Sequence, residues 1–138
     1  MKIDHVTIAG PRFSRLMRLC SQIGLAPERG CAHSNNVTHM AVIGFDDGSY
    51  IELISTIDRG ARSPWWDAHI RHAAGPCGWA VEVDDAAREA ARLEALGIPV
   101  RGPVRMQRTR PDGERIEWEL TLPGTGAPGV LLPFAIHD

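Results

Sequence analysis

Cysteine is scarce in this chain, and the three residues present do not form a redox or metal motif. Cys20, Cys31 and Cys77 are widely spaced, and no Cys-x-x-Cys pair occurs. Disulfide-stapled secreted domains carry an even and denser set, and zinc or redox sites favour cysteines two residues apart. The sequence therefore favours a reducing compartment, in which the three thiols pack as small hydrophobic groups.

Long apolar runs and concentrated positive charge are also absent. No stretch approaches the roughly 20 apolar residues of a membrane-spanning helix, and the N-terminus lacks the apolar core of a secretory signal. Lys and Arg number 15 against 17 Asp and Glu, and the densest basic run, residues 105–110, is interrupted by uncharged residues. Nucleic-acid binding needs clustered cations. We therefore expect a cytoplasmic protein that binds neither nucleic acid nor membrane.

What the chain does contain is an alternation of short apolar runs and turn signals. In the first half, strands are predicted at residues 2–9, 28–33, 37–44 and 49–55, and a helix at 13–23. Gly24 ends that helix, and Asp47-Gly48 turns the last two strands into a hairpin. The first half therefore has the order β-α-β-β-β.

The second half repeats this order after a connection in which Ser63-Pro64 is predicted to begin a short helix. Strands are predicted at residues 77–83, 100–108, 115–122 and 129–136, and a helix at 85–96. The helix-ending glycines, Gly24 and Gly97, lie 97 − 24 = 73 residues apart. The length suits one domain. We predict a single domain, residues 1–138, made of modules 1–56 and 77–138 joined by residues 57–76.

Two residues of the first module are candidates for chemistry. His5 lies in the first predicted strand and Glu52 in the fourth, and the two can share one face if these strands pair. They could hold a metal, move a proton as a catalytic pair, or satisfy each other by a hydrogen bond. The 73-residue offset carries His5 onto Gly78, and Pro133 or Phe134 takes the place of Glu52. The second module does not repeat the pair.

Other side chains are secondary candidates. His33 and His39 could each supply a third metal ligand, but alternation lets only one of Thr38 and His39 face a pocket. The paired spacing of His69 and His72 predicts a solvated helix face. Glu117 and Glu119 share a face that we expect to be solvent-exposed. The predicted substrate pocket consists of His33, Thr38, Trp79, Trp118 and Phe134.

Several segments in their order resemble a known superfamily. They are Ile3-Asp4-His5-Val6, His33 followed by Thr38-His39, Gly48-Ser49-Tyr50-Ile51-Glu52-Leu53-Ile54, the hairpin Arg108–Gly113 with Trp118, and Leu132-Pro133-Phe134-Ala135-Ile136. Together they resemble the vicinal oxygen chelate superfamily, also called glyoxalase/bleomycin resistance/dioxygenase. Over essentially the whole chain the sequence is most similar to the glyoxalase-like domain family.

The resemblance implies an α+β fold in which two βαβββ modules form a curved eight-stranded mixed sheet around a cleft. Superfamily enzymes hold a divalent metal with residues of the first and fourth strands of both modules, and other members bind antibiotics without metal. By resemblance His5, Glu52 and His39 are the candidate metal ligands, and Glu52 and His5 the candidate catalytic residues. The departure lies in the second module, because two ligands fall short of the usual three or four.

Two functions therefore remain open. The chain could be a metal-dependent lyase, isomerase or dioxygenase acting on a small oxygenated compound. It could instead be a non-catalytic protein of the bleomycin-resistance type that binds or sequesters a ligand. The partner in both cases is a small molecule, with a divalent metal or without a cofactor, and a homodimer is compatible with either.

Overall fold

The computed structural model describes residues 1–110 and 112–138. Pro111, the first residue of a predicted turn, lies outside the described residues. The elements are β1 Lys2–Ala9, α1 Phe13–Gln22, β2 Glu28–Ala32, β3 Thr38–Gly44, β4 Tyr50–Thr56, a π-helical segment His69–Ala73, β5 Gly75–Glu82, α2 Ala86–Ala95, β6 Val100–Thr109, β7 Arg115–Pro123 and β8 Phe134–His137. None of the helices in these two ranges is long and apolar enough to cross a membrane.

The chain divides into two compact units that share strand β1. The continuous unit is Val6–Cys77, and the discontinuous unit is Met1–His5 with Gly78–Asp138. Strand order is β2-β3-β4-β1 in the former and β1-β5-β8-β7-β6 in the latter, which makes one eight-stranded sheet. It is mixed, because β5 and β8 are parallel whereas β7 and β8 are antiparallel. The predicted α+β fold of two βαβββ modules is confirmed.

In the continuous unit, the register of the β3–β4 hairpin separates the face that α1 covers from the opposite face. Val42 lies opposite Glu52, and Thr38 lies opposite Thr56. Because strand side chains alternate, these four side chains share one face. Phe13 of α1 packs on the other face, against Ala41, Ile43 and Leu53. Glu52 therefore points away from α1.

In the discontinuous unit, α2 and the sheet are anchored on one face by a small apolar cluster. Val81, Val83 and Ala135 form this cluster, and Trp79 packs against it. The Thr121 hydroxyl donates a hydrogen bond of 2.8 Å to the Ala86 carbonyl at the start of α2. The Asp85 side chain caps the helix by accepting from the Arg88 amide.

Two predicted elements are corrected. Ser63-Pro64 does not begin a helix, because Trp66 has a φ of 55° and the Ser63 amide donates to the Asp67 side chain. The π-helical segment begins only at His69.

The last strand is also shorter than predicted, since it starts at Phe134 rather than at residue 129. Gly129 has a φ of 74° and accepts a hydrogen bond from the Trp79 amide. Pro133 has no amide to donate to a ladder, and Leu131 is 89% exposed. The segment before β8 is therefore a loop.

Candidate active site

Glu52 is a buried carboxylate on the face of β4 opposite α1, with only 8% of the residue exposed. The Thr7 hydroxyl of β1 donates a hydrogen bond of 3.1 Å to Oε2. The His33 Nε2 atom lies 3.0 Å from Oε1. Both carboxylate oxygens thus have protein partners.

His33 connects Glu52 to a short polar chain. Its Nδ1 atom lies 2.8 Å from Thr38 Oγ1, and the Asn35 side-chain amide donates to the same oxygen at 3.2 Å. The Thr38 hydroxyl lies within hydrogen-bond distance of both His33 Nδ1 and Asn35 Oδ1, the latter at 3.3 Å, and its single hydrogen can go to only one of them. In either case the contact at His33 Nε2 fixes the direction of one carboxylate oxygen.

The loop between β2 and β3 positions His33. The Asn35 side-chain oxygen accepts hydrogen bonds from the Val37 and Thr38 amides, at 2.8 and 3.1 Å. This Asx-type turn reverses the chain. The His33 amide then donates to the Thr38 carbonyl at 2.9 Å, which places His33 beside the first residue of β3. The turn thus brings its imidazole to the face that carries Glu52.

Cys77 is a buried thiol near the same carboxylate. Its Sγ donates to the Thr7 carbonyl at 3.5 Å. Burial raises the pKa of Cys77 to about 12, and the negative charge of Glu52 adds to this rise, while a backbone hydrogen bond from Ala9 opposes it. Only the thiolate is a good nucleophile. Cys77 is therefore an inert packed thiol at neutral pH.

His39 lies on the helix-covered face, away from Glu52. Its ring stacks on Phe13 with a centroid distance of 4.0 Å. Burial lowers the pKa of His39, and the charges of Arg29 and His33 lower it further. Its buried Nε2 atom has no hydrogen-bond partner among residues 1–110 and 112–138. The structure thus brings His33, rather than the predicted ligand His39, to Glu52.

His5 belongs to the discontinuous unit and is 5% exposed. Its Nδ1 atom lies 2.5 Å from the Asp4 carboxylate. Its ring meets the edge of Phe134 at a centroid distance of 5.4 Å. Because His5 and Glu52 fall in different units, their predicted pairing stays a prediction.

The predicted pocket residues of the second module lie on opposite faces of their sheet. Register pairs Ala80 with Phe134 and Leu120 with Ile136, so Trp118 and Phe134 share a face. The Arg108 guanidinium lies 5.9 Å from the centre of the Trp118 ring. Trp79 instead packs on the apolar cluster beneath α2. The structure therefore separates Trp79 from the other two.

The donors at Glu52 do not fit the divalent metal that the superfamily resemblance implies. Glu52 and His33 supply two ligating groups, whereas protein metal sites of this kind use three or four. Within the described ranges, no group of three or more His, Cys, Asp or Glu side chains is placed to hold a metal ion. We therefore derive no chemical step through a metal.

Two residues of the site escaped sequence reasoning. Thr7 lies two positions after His5 in an alternating strand, so a same-face hydroxyl could have been found from that spacing. Asn35 is of a residue type that favours turns, and its contact with Thr38 depends on the loop conformation.

Comparison with known proteins agrees with the fold. A family model described as "Glyoxalase-like domain" matches residues 3–138. No curated protein matches the sequence.

Among solved structures, a hypothetical protein from Staphylococcus aureus is similar, with a TM-score of 0.79 and 17% identity over 99% of this chain. The chain spans only 58% of the length of that protein. Methylmalonyl-CoA epimerase from Mycobacterium tuberculosis has a TM-score of 0.71 and 15% identity over 99% of this chain and 87% of its own. A Streptomyces coelicolor methylmalonyl-CoA epimerase in complex with 2-nitronate-propionyl-CoA has a TM-score of 0.67 and 16% identity, over 100% and 97% of the two chains. At these identities the likeness shows the fold alone.

Proposed function

The chain belongs to the glyoxalase-like domain family, and from that premise we propose that it binds a small carbonyl compound on which Glu52 acts as a general base. One observation carries the proposal: a buried carboxylate is held by protein contacts on both oxygens, on the face of its hairpin opposite α1. Such a group is oriented before any ligand arrives, and orientation is a large part of catalysis.

The proposed step is removal of a proton from the carbon next to a carbonyl group. The Glu52 carboxylate forms a new O–H bond as the C–H bond breaks. The electron pair of that bond becomes the C=C bond of an enolate, and the carbonyl oxygen takes the negative charge. Return of the proton to a different atom of the enolate, or to the opposite face of the same carbon, gives an isomer, whereas return to the original face regenerates the substrate; in each case Glu52 ends as the carboxylate.

His33 has a positioning role in this proposal. Its hydrogen bond to Oε1 holds the carboxylate in one rotamer, and Thr38 in turn orients the imidazole. The names of two neighbours, methylmalonyl-CoA epimerases, describe isomerases of an acyl-CoA substrate. We carry over from them only the reaction class and the idea of testing acyl thioesters.

The test is hydrogen exchange in deuterated water. Branched acyl thioesters and small 2-oxo acids are incubated with the protein, and uptake of deuterium next to the carbonyl is followed by mass spectrometry. Glu52→Gln should slow exchange by about 10²–10⁴-fold, the usual worth of a general base. Glu117→Gln is the matched control, because Glu117 is an exposed strand glutamate that pairs with Arg115.

A non-catalytic binding protein is the second candidate. It is favoured by the fact that both oxygens of Glu52 are already satisfied by protein groups, as in a structural carboxylate. Thermal-shift binding by a compound that shows no exchange with wild type would support this candidate. Exchange by wild type that persists in Glu52→Gln would remove the assignment of Glu52 as the base.

A further inference from the structure

A cavity of ≈ 310 Å³ in the continuous unit is separate from the residues that hold Glu52. It lies where α1 begins, β4 ends and the π-helical segment passes. The residues that matter for its chemistry are Arg12, Thr56, Arg59, Ile70, Arg71 and His72. Three arginines and a histidine around one cavity are unusual in a chain whose net charge is −2.

The three guanidinium groups lack carboxylate partners. Among residues 1–110 and 112–138, none of Arg12, Arg59 and Arg71 forms an ion pair within 4.0 Å. Asp67 is close enough to Arg71 to have its pKa lowered, but its oxygens bond to Arg62 and to the Ser63 amide. The three arginines of the cavity therefore have no direct ion pair in the described ranges, and Asp67 acts on Arg71 only through space.

Arg71 adds a second observation that is independent of net charge. Its Nε atom is buried and has no hydrogen-bond partner in the described part of the chain. A buried donor without a partner costs free energy. Ile70, which precedes it, is 1% exposed and anchors this segment of the chain.

Two further hydrogen-bond donors, Thr56 and Arg12, line the cavity. Thr56 is 7% exposed and contributes a hydroxyl group at the end of β4. Arg12 is the N-cap residue of α1, and its side chain does not cap the helix. Every group named here donates hydrogen bonds to an anion or attracts it.

We propose that this cavity is a binding site for a phosphate-type polyanion, with a diphosphate as the fitting unit. Guanidinium groups pair with phosphate oxygens through two parallel N–H bonds, a geometry that lysine cannot supply. Several arginines around one cavity match a group with several charged oxygens better than they match a single carboxylate.

The position of the cavity assigns it to the same ligand as Glu52, and this part rests on the proposed function. Thr38 and Thr56 are opposite each other, as are Val42 and Glu52, so Thr56 and Glu52 share a face. Four residues along a strand span about 13 Å. The predicted substrate class is therefore a carbonyl compound with a phosphate-bearing group about that far from the reacting carbon.

The experiment measures binding of pyrophosphate to the full chain by isothermal titration calorimetry at low and high salt. Arg71→Gln and Arg12→Gln should each weaken binding about tenfold, the loss expected for a charge-assisted hydrogen bond. Arg71→Lys keeps the charge and should still lose much of the affinity, because an ammonium group cannot form the two parallel N–H bonds of a guanidinium. Arg18→Gln, an exposed arginine of α1, is the control for general charge and should change binding less than twofold. Thermal melts establish that each variant is folded.

The possible results distinguish failure of the anion site from failure of the proposal that Glu52 is the base. Absence of pyrophosphate binding to folded wild type, or an equal loss in Arg18→Gln and Arg71→Gln, overturns the anion site whatever Glu52 does. Tighter binding of tricarballylate than of pyrophosphate overturns the phosphate assignment. Glu52→Gln should leave pyrophosphate affinity within twofold of wild type, so failed exchange with intact pyrophosphate binding contradicts only the proposed function.

Discussion

Single residues decide whether the buried carboxylate of Glu52 is tolerated. Thr7 is fully buried, and its hydroxyl is one of the two protein donors to that group. A charged acceptor that loses a donor in the interior pays a desolvation cost. Thr7 is therefore as much a part of the site as the more conspicuous His33.

We predict that Thr7→Val lowers the free energy of unfolding by about 2 kcal/mol, since it keeps the shape of the side chain but removes a hydrogen bond to a charged group. Urea denaturation measures the change. Thr7→Ser retains the hydroxyl and should cost less. In a Glu52→Gln background the effect of Thr7→Val should shrink, because the acceptor is no longer charged. An unchanged effect in that background would mean that the contact contributes little.

His39 gives a prediction for pH dependence. Its pKa is lowered from 6.5 in the folded chain, first by burial and then by the charges of Arg29 and His33. Below the ordinary value, the unfolded chain binds a proton that folded His39 resists, so stability falls as pH falls through that window. His39→Phe, which keeps an aromatic ring on Phe13, should reduce the stability lost between about pH 7.5 and pH 5.

The measurement is urea unfolding of wild type and variant at both pH values. His72→Gln is the control, because His72 is an exposed histidine and removing it should leave the loss of stability almost unchanged. A pH dependence that is identical in wild type and His39→Phe would show that His39 does not cause the acid destabilisation.

At the scale of elements, the loop before β8 depends on a close approach of two backbones. Gly129 and Gly97 have nearly the same φ, 74° and 75°. A Cβ on Gly129 would lie 2.7 Å from the Trp79 amide nitrogen, whereas a Cβ on Gly97 would meet nothing within 4 Å. An alanine at either position would therefore bear the same backbone strain, but only at Gly129 would its methyl group also meet neighbouring atoms.

We predict that Gly97→Ala costs about 1 kcal/mol, the price of a left-handed backbone for alanine. Gly129→Ala should cost about 3 kcal/mol, because the methyl group also forces the Gly129 and Trp79 backbones apart. Thermal and urea unfolding of both variants give the comparison. Equal losses would show that the loop before β8 yields easily and does not determine where the strand begins.

Elements with a clear periodicity could be predicted from the sequence, and elements fixed by loop contacts could not. Short β-rich runs bounded by turn residues predicted β1, β3 and β4 almost to the residue. The prediction that a helix starts at Ser63-Pro64 was wrong because the Ser63 amide donates a hydrogen bond to the Asp67 side chain. No local sequence pattern indicates that contact.

The site around Glu52 also contains residues that the sequence predicts and a contact that depends on a loop. Glu52, His33 and Thr38 were all named from the sequence, but the choice of His33 over His39 depends on the turn that Asn35 builds. The arginine cavity could not be predicted at all, because Arg12 and Arg71 come together only in the folded unit.

At the scale of the whole molecule, the repeated modules and the compact units do not coincide. The predicted second module starts at residue 77, but the unit that contains it also includes Met1–His5. Strand β1 stands next to β5 in the strand order of that unit. A chain cut between the modules would therefore leave β5 as an open edge.

We predict that the fragment of residues 77–138 does not fold alone. Without β1, strand β5 would expose the buried residues Cys77 and Ala80 on an unpaired edge, which favours aggregation. A fragment of about 60 residues is also marginal in the surface it can bury. Far-UV circular dichroism should show little strand signal and no cooperative melt, while the full chain melts in one transition. A fragment that melts cooperatively near the temperature of the full chain would contradict this, and would place an independent folding boundary at residue 77.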